Sequence, residues 1–350
     1  MKTYELNKKI VQSFGASPVS DLDSVPSQYC FENDLVYSHR GFDDFYKRLL
    51  SGEKSAIVSG VNASGTLHMG HKVVFDINKY FQEEHGVDVY IPISDDESYV
   101  SGKVETQEEA LRNAYGLAKE MIGYGFDPKK TFFILDYKCP EIYNIAFKLS
   151  RFVTMSTIKA TYGYEDSDNP GLHFYPCVQS SHVLLPQLRE DTSNVLVPIG
   201  PDEDVHLRIA RDIAPKVGVE KPSVLHTRFL PGLDGKKMSK SRNNAIYLKD
   251  TGKALKKKVY SALSGGGETL EEHRENGGVP EEDMSCIYLK TFFYDTEKAT
   301  ALYESYREGS LLTGEVKKRL YTVLEEHNTA FVEGSRDVSD SDVDTALYQF

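Results

Sequence analysis

Between residues 54 and 226 short apolar runs alternate with helix-like stretches, and that alternation leaves room for little besides a parallel α/β sheet. Residues 54–60 (KSAIVSG), 87–93 (VDVYIPI), 131–136 (TFFILD), 194–199 (NVLVPI) and 224–226 read as strands. Stretches near 68–85, 106–122, 140–157 and 202–214 read as the helices between them. From about Leu248 the strand-like runs vanish and amphipathic helical spacing takes over. The pattern predicts a parallel-sheet domain over 46–247 and an all-helical domain over 248–350. Residues 1–45 read as an irregular N-terminal extension, and the acidic C-terminal tail reads as loosely held. A length of 350 residues suits two domains of about 150 each.

Composition mostly excludes. A net charge of −12 keeps the chain soluble and removes the basic footprint of a nonspecific DNA coat. The four cysteines, Cys30, Cys139, Cys177 and Cys286, form no CxxC pair. Neither a zinc ribbon nor a disulfide framework is expected, and no protein-bound metal. No run approaches the ~18 apolar residues of a membrane span, and the N-terminus lacks an apolar signal core. A soluble protein of the reducing cytoplasm, with no membrane partner, is the expectation.

Three strand ends carry groups suited to a nucleotide. In 59–71 (SGVNASGTLHMGH) a strand ends, Gly60 and Gly65 permit a tight turn, and His68, Met69, Gly70 and His71 open a helix. A helix start exposes unpaired N–H groups and a positive dipole end, both suited to phosphate. Gly70 admits a ligand close to the backbone, and the two imidazoles share a helix face. In 229–241 (FLPGLDGKKMSKS), Lys237 and Lys240 flank Met238 and Ser239 on a Gly/Ser loop, a cationic clamp able to close on a polyphosphate. At 199–204 (IGPDED), Gly200 admits a nucleoside and Asp202 accepts from ribose hydroxyls. Each stretch alone also fits a bland role as surface histidines, solvated loop or helix cap. Together in one chain the first two are hard to explain by chance.

Two further stretches, 174–188 (FYPCVQSSHVLLPQL) and 94–97 (SDDE), offer polar groups for a polar-tipped ring and an ammonium. Alone, the first reads more readily as ordinary core than as a site, and the second reads equally as a helix-capping acidic cluster. No GxGxxG follows the first strand, which disfavours a dinucleotide dehydrogenase.

HMGH and KMSKS, one at each end of a Rossmann-like domain, resemble the signature motifs of class I aminoacyl-tRNA synthetases. Within that class the similarity is to the tryptophanyl family of archaeal and eukaryotic type, from about Tyr37 to about His327. It includes PSVLHTRFLPGLDGKKMSKS, DEDVHLRIARDIAP and LSGGGETLEEHRENGG, and the sister tyrosyl enzymes do not resemble the last. The resemblance implies a catalytic domain over 46–247 with a dimerisation insert at about 110–190, and an anticodon-binding domain over 248–350. It further implies a homodimer whose substrates are L-tryptophan, ATP and tRNA(Trp), with Mg²⁺ carried on the ATP phosphates.

Position by position, the resemblance assigns His68 and His71 to ATP and its α-phosphate, with Gly70 and Met238 beside them. Lys237, Ser239 and Lys240 go to the leaving pyrophosphate, and Gly200 and Asp202 to the nucleoside. Glu97 and Gln179 go to the amino acid's polar end. The chain departs from the family's pattern at Val58 (usually Tyr), Glu203 (usually Gln) and His182 (often Asp), all near the expected indole pocket. Glu203 or Gln179 is expected to accept the indole N–H. A tyrosyl enzyme, a small-molecule nucleotidyltransferase and a non-catalytic synthetase paralogue that binds an amino acid are the other readings. In the helical part Lys253, Lys256, Lys257, Lys258, Lys317, Lys318 and Arg319 are the local basic clusters, within a region of net charge −7 from Thr251 onward.

Overall fold

The computed structural model describes all residues except 1–9, 237 and 239–241. Its strands are β1 (Ser17–Pro18), β2 (Val36–Arg40), β3 (Ser55–Val58), β4 (Val61–Asn62), β5 (Asp88–Ser94), β6 (Thr131–Leu135), β7 (Asn194–Ile199) and β8 (Ser223–Thr227). The apolar runs pair as expected. β3, β5, β6, β7 and β8 are parallel, in the order β8-β7-β3-β5-β6, and β4 continues the line of β3 beside β5. β3 and β7 are buried along their whole length, which accounts for their unbroken apolar runs.

The helices that matter for the site lie between these strands: α1 (Tyr29–Glu32), α2 (Phe42–Leu50), α3 (Met69–His85), α4 (Asp95–Val100), α5 (Gln107–Tyr124), α6 (Glu141–Ser150), α7 (Met155–Tyr162), α8 (Pro170–Arg189) and α9 (Asp204–Ile213). The helical part follows as α10 (Gly252–Tyr260), α11 (Leu270–Asn276), α12 (Met284–Phe292), α13 (Thr296–Arg307), α14 (Thr313–Arg336) and α15 (Asp340–Thr345). One core fills each face of the sheet. Phe42, Phe75 and Phe81 share theirs with Leu255, Tyr288 and Leu320 of the helical part. Ile142, Leu184 and Leu207 fill the other with the helices α6, α8 and α9. α5 and α14 touch backbone to backbone: a Cβ on Gly123 would stand 2.4 Å from the Ser335 Cα.

Three local expectations need correction. Residues 36–40 are not irregular, because β2 pairs antiparallel with β8 and extends the main sheet, with β1 beyond it. The helix expected over 140–157 ends at Ser150, and Thr154 caps a new one by accepting from the Thr157 N–H. Residues 174–188 lie inside the 20-residue helix α8. That helix is almost wholly buried in its middle and carries Pro176 and Pro186, so it has neither the amphipathic period nor the composition of a helix. The tail is held: Phe133 N–H donates to the Ala346 carbonyl (2.8 Å) and Tyr348 N–H to the Phe133 carbonyl (2.8 Å), covering the free edge of β6.

The chain runs from β3 outward through β5 to β6, then returns to β7 and β8 on the other side. The reversal opens a crevice at the C-terminal ends of β3 and β7, the place where open α/β sheets bind ligands.

Candidate active site

At the end of β3 the backbone turns into α3, with His68 as its N-cap. His68 Nδ1 accepts from the Gly70 N–H (3.1 Å), and His71 Nδ1 accepts from the His68 N–H (3.1 Å). Two imidazoles thus form the reciprocal cap that Ser and Glu usually make. With both Nδ1 atoms accepting, the neutral rings carry their proton on Nε2. Each therefore offers an N–H donor at the positive end of a 17-residue helix. The ring centroids are 4.1 Å apart. Gly70 has no room for a side chain, since a Cβ would stand 2.9 Å from the His68 ring.

Across this helix start runs the segment that follows the second motif. Met69 N–H donates to the Ile246 carbonyl (3.0 Å) and Leu248 N–H to the Leu67 carbonyl (2.9 Å), with Tyr247 bridged to His68. The loop's base is closed by Leu233 N–H to the Asn244 carbonyl (2.7 Å) and by Asn244 Nδ2 to Asp234 (2.7 Å). Met238, the described member of KMSKS, has its Sδ 3.8 Å from where a Gly70 Cβ would be. Lys237, Ser239 and Lys240 lie outside the described residues.

β7 ends at Gly200, where a Cβ would meet Asp202 Oδ1 at 2.8 Å. Behind them Asp204, passed over by motif reasoning, accepts from Arg40 through both oxygens (2.9 and 3.0 Å) and from His226 Nε2 (2.9 Å). Burial alone would raise the Asp204 carboxyl, but the hydrogen bonds from His226 and Arg40 outweigh it and hold it at about 2. This cluster ties the start of α9, and with it Asp202 and Glu203, to β2 and β8.

The side expected to take the amino acid is assembled from more distant pieces. Glu97, in the first turn of α4, accepts from Asn62 Nδ2 and from Lys103 Nζ (2.8 Å). α8 crosses close above: Asn169 Nδ2 donates to the Val100 carbonyl (3.0 Å), and a Cβ on Gly171 would stand 2.6 Å from the Val100 side chain. From α8, Gln179 Oε1 accepts the Tyr162 hydroxyl (2.8 Å). The Tyr162 ring lies 4.3 Å from that of His206, whose Nε2 is 3.6 Å from Glu203. Tyr164 stacks on Tyr162, with ring centroids 5.3 Å apart. The Tyr175 hydroxyl meets Ser94 Oγ at 2.7 Å.

With that geometry in view, the comparisons are decisive. Residues 50–329 match the family described as tRNA synthetases class I (W and Y). The chain belongs to that family. It is 37% identical to the tryptophan–tRNA ligase of Methanocaldococcus jannaschii over 330 residues, 90% of this chain and 88% of the relative. It is 39% identical to tryptophan–tRNA ligase 2 of Halobacterium salinarum over 318 residues, 89% of this chain and 82% of the relative. The solved tryptophanyl-tRNA synthetase of Aeropyrum pernix superposes with a TM-score of 0.90 at 29% identity, covering 99% of this chain and 97% of that one.

In this class I synthetase, His68, Gly70, His71 and Met238 stand together at the α3 start. Gln179 and Glu203 are linked through Tyr162 and His206, and Tyr164 stacks beside them. Tyr143, Tyr162, Tyr164 and Tyr175 are ordinary aromatic positions along the chain, and only the packing of α6–α9 brings them to one place. Val58 and His182 belong to the buried floor. His182 Nε2 meets Asp136 Oδ1 at 2.6 Å, and burial lowers its pKa to about 4 against the pull of Asp96 and Asp95. Two members of the basic clusters are engaged within the chain, one buried and one partly buried. Lys317 donates to the carbonyls of Tyr260 and Ala262, and Lys258 to the Ala245 carbonyl and Asp250. Among the described residues no helix is long and apolar enough to cross a membrane.

Proposed function

We propose that this chain is a tryptophan–tRNA ligase: it activates L-tryptophan with ATP to tryptophanyl-adenylate and pyrophosphate, then transfers the acyl group to tRNA(Trp). The observation that carries the reading is the antiparallel pairing of 246–248 with 67–69, beside which Met238 of the second motif lies over Gly70 of the first. The tryptophan carboxylate attacks the α-phosphorus in line and pyrophosphate leaves, so no side chain need act as a nucleophile. His68 and His71 direct Nε2–H donors at the α-phosphate, where charge grows. Lys237, Ser239 and Lys240 hold the leaving pyrophosphate, and Mg²⁺ arrives on the ATP phosphates. Gly200 and Asp202 take the ribose. Glu97 takes the ammonium. Gln179, its Oε1 fixed by Tyr162 with one lone pair remaining, is the acceptor for the indole N–H.

The helical part is the anticodon-binding domain in this reading. A groove of about 430 Å³ lined by Phe293, Tyr294, Lys298, Leu302 and Arg319 offers ring faces and cations to unstacked bases. Phe147 and Met155 on α6 and α7 are 74% and 54% exposed, a face suited to the homodimer contact within the insert. In this reading the protein works in the cytoplasm.

The protein has no tryptophan of its own, so indole emission in a titration comes from the ligand alone. Saturable tryptophan binding that tyrosine does not displace, with tryptophan-dependent ATP–pyrophosphate exchange, is the expected result. Exchange driven by tyrosine, or ligand binding with no exchange at all, contradicts it.

A further inference from the structure

β5 and β6 end side by side beneath α8, and each end delivers carboxylates into the core. Asp95 and Asp96 follow β5, and Asp136 follows β6. One oxygen from each of the three lies within 4.8 Å of the others. None of the three, nor His182 above them, exposes more than 7% of its surface. Asp95 Oδ1 accepts the N–H groups of Asp96 (3.1 Å) and Asp136 (2.9 Å). Asp96 accepts the Glu97 N–H (2.6 Å) and the Tyr143 hydroxyl (3.2 Å). Asp136 Oδ1 faces His182 Nε2. Two buried oxygens, Asp95 Oδ2 and Asp136 Oδ2, have no donor among the described residues. Among the described residues no Lys or Arg is paired with any of the three carboxylates.

A buried, uncompensated carboxylate oxygen is costly, and three acids beside one imidazole leave negative charge in excess. A proton shared between Asp96 and Asp136 relieves their mutual repulsion but leaves Asp95 Oδ2 unmatched. A hard cation satisfies all three, because oxygen ligands at 2.0–2.6 Å from one ion lie within about 4–5 Å of each other. Each carboxylate is already aimed by a second partner: Asp95 by backbone amides, Asp96 by the Glu97 amide and Tyr143, Asp136 by His182. Such outer contacts typically orient metal ligands.

We propose that Asp95, Asp96 and Asp136 bind a divalent, oxygen-preferring cation beneath the amino-acid side of the pocket, with His182 orienting Asp136. The sequence carries no cysteine- or histidine-spaced motif for such a site, and no protein-bound metal was expected from it. The ion clamps the ends of β5 and β6. Glu97 is the next residue after Asp96, and Gln179 is one turn before His182 on α8, so the clamp sets where both stand. That last effect rests on the proposed function; the cation site itself does not.

The test uses the full chain, stripped with chelator and exchanged into metal-free buffer without ATP. Equilibrium dialysis against Mn²⁺ is expected to give about one bound ion per chain, displaced by Ca²⁺ or Mg²⁺. Asp95→Asn and Asp136→Asn are each expected to weaken Mn²⁺ binding at least tenfold, with circular dichroism confirming that the variant read is folded. Tryptophan affinity is expected to fall several-fold in the stripped chain and to return with Mn²⁺. No saturable binding up to millimolar Mn²⁺, or binding retained in both variants, overturns the site. Stoichiometric Mn²⁺ binding in a chain that does not bind tryptophan upholds the cation site and overturns the functional reading instead.

Discussion

The end proposed for the nucleotide and the end proposed for the amino acid are built on opposite plans in this synthetase. At the nucleotide end the geometry is backbone geometry: a helix start, a bare Gly70, a reciprocal imidazole cap and two main-chain hydrogen bonds to 246 and 248. At the amino-acid end almost everything is side chain. Glu97, Tyr143, Tyr162, Gln179 and His206 come from five helices, and their floor is a buried set of three carboxylates and one imidazole. Phosphate is recognised by N–H groups and dipole, which a few consecutive residues supply. A ring is recognised by shape and by a few placed polar groups, which must be gathered from afar.

If the two plans are independent, changes at one end should leave the other nearly intact. The largest expected effect is on the frame behind the ribose site. Asp204→Ala leaves Arg40 buried without its partner and should cost about 3–5 kcal/mol of stability in urea unfolding. Because the Asp204 carboxyl is held at about 2, its contribution is present above pH ~4 and is lost as pH falls through about 2. Next comes His71→Ala, which should lower ATP–pyrophosphate exchange by about 10²–10³ with tryptophan affinity unchanged. An equal loss of tryptophan affinity would mean the ends are not separable. Lys240→Ala should act in the same way.

Gln179→Ala should do the converse: about 1 kcal/mol, or roughly fivefold, in tryptophan affinity by ligand fluorescence, with ATP binding unaffected. The smallest effect is a slope. Burial first, then the charge of Asp136, pushes Asp96 up to about 8, with Asp95, His182 and Tyr143 as its other neighbours. A carboxyl raised on folding takes up protons between its unfolded and folded values. The metal-free chain should therefore gain stability as pH falls from about 8 toward 4, and Asp96→Asn should flatten that slope in a thermal-melt series. An unchanged slope would remove Asp96 from the account of the floor.

The same contrast explains how much could be read in advance. Five parallel strands and the α3 start were legible because each is a local pattern: an apolar run, or a glycine and two histidines in four residues. α8 was not, since a helix buried around its middle shows no period and carries two prolines. β2 was missed because its pairing with β8 closes across more than 180 residues of chain. Asp204 stood inside a quoted motif, yet its role depends on Arg40 and His226, which only the sheet brings to it. The pocket tyrosines and the Asp95–Asp96–Asp136 floor are invisible for the same reason. The tail's hold on β6 is two main-chain hydrogen bonds, to which side-chain identity contributes little.

On the proposed function, the histidine-capped helix start and the lysine loop close on one ATP. A crystal structure with a non-hydrolysable ATP analogue tests it directly. The account predicts the α-phosphate within hydrogen-bond distance, about 3 Å, of the Nε2 atoms of His68 and His71, with Lys240 on the terminal phosphates. An analogue bound elsewhere, or bound at the helix start with the lysine loop turned away from it, contradicts the account.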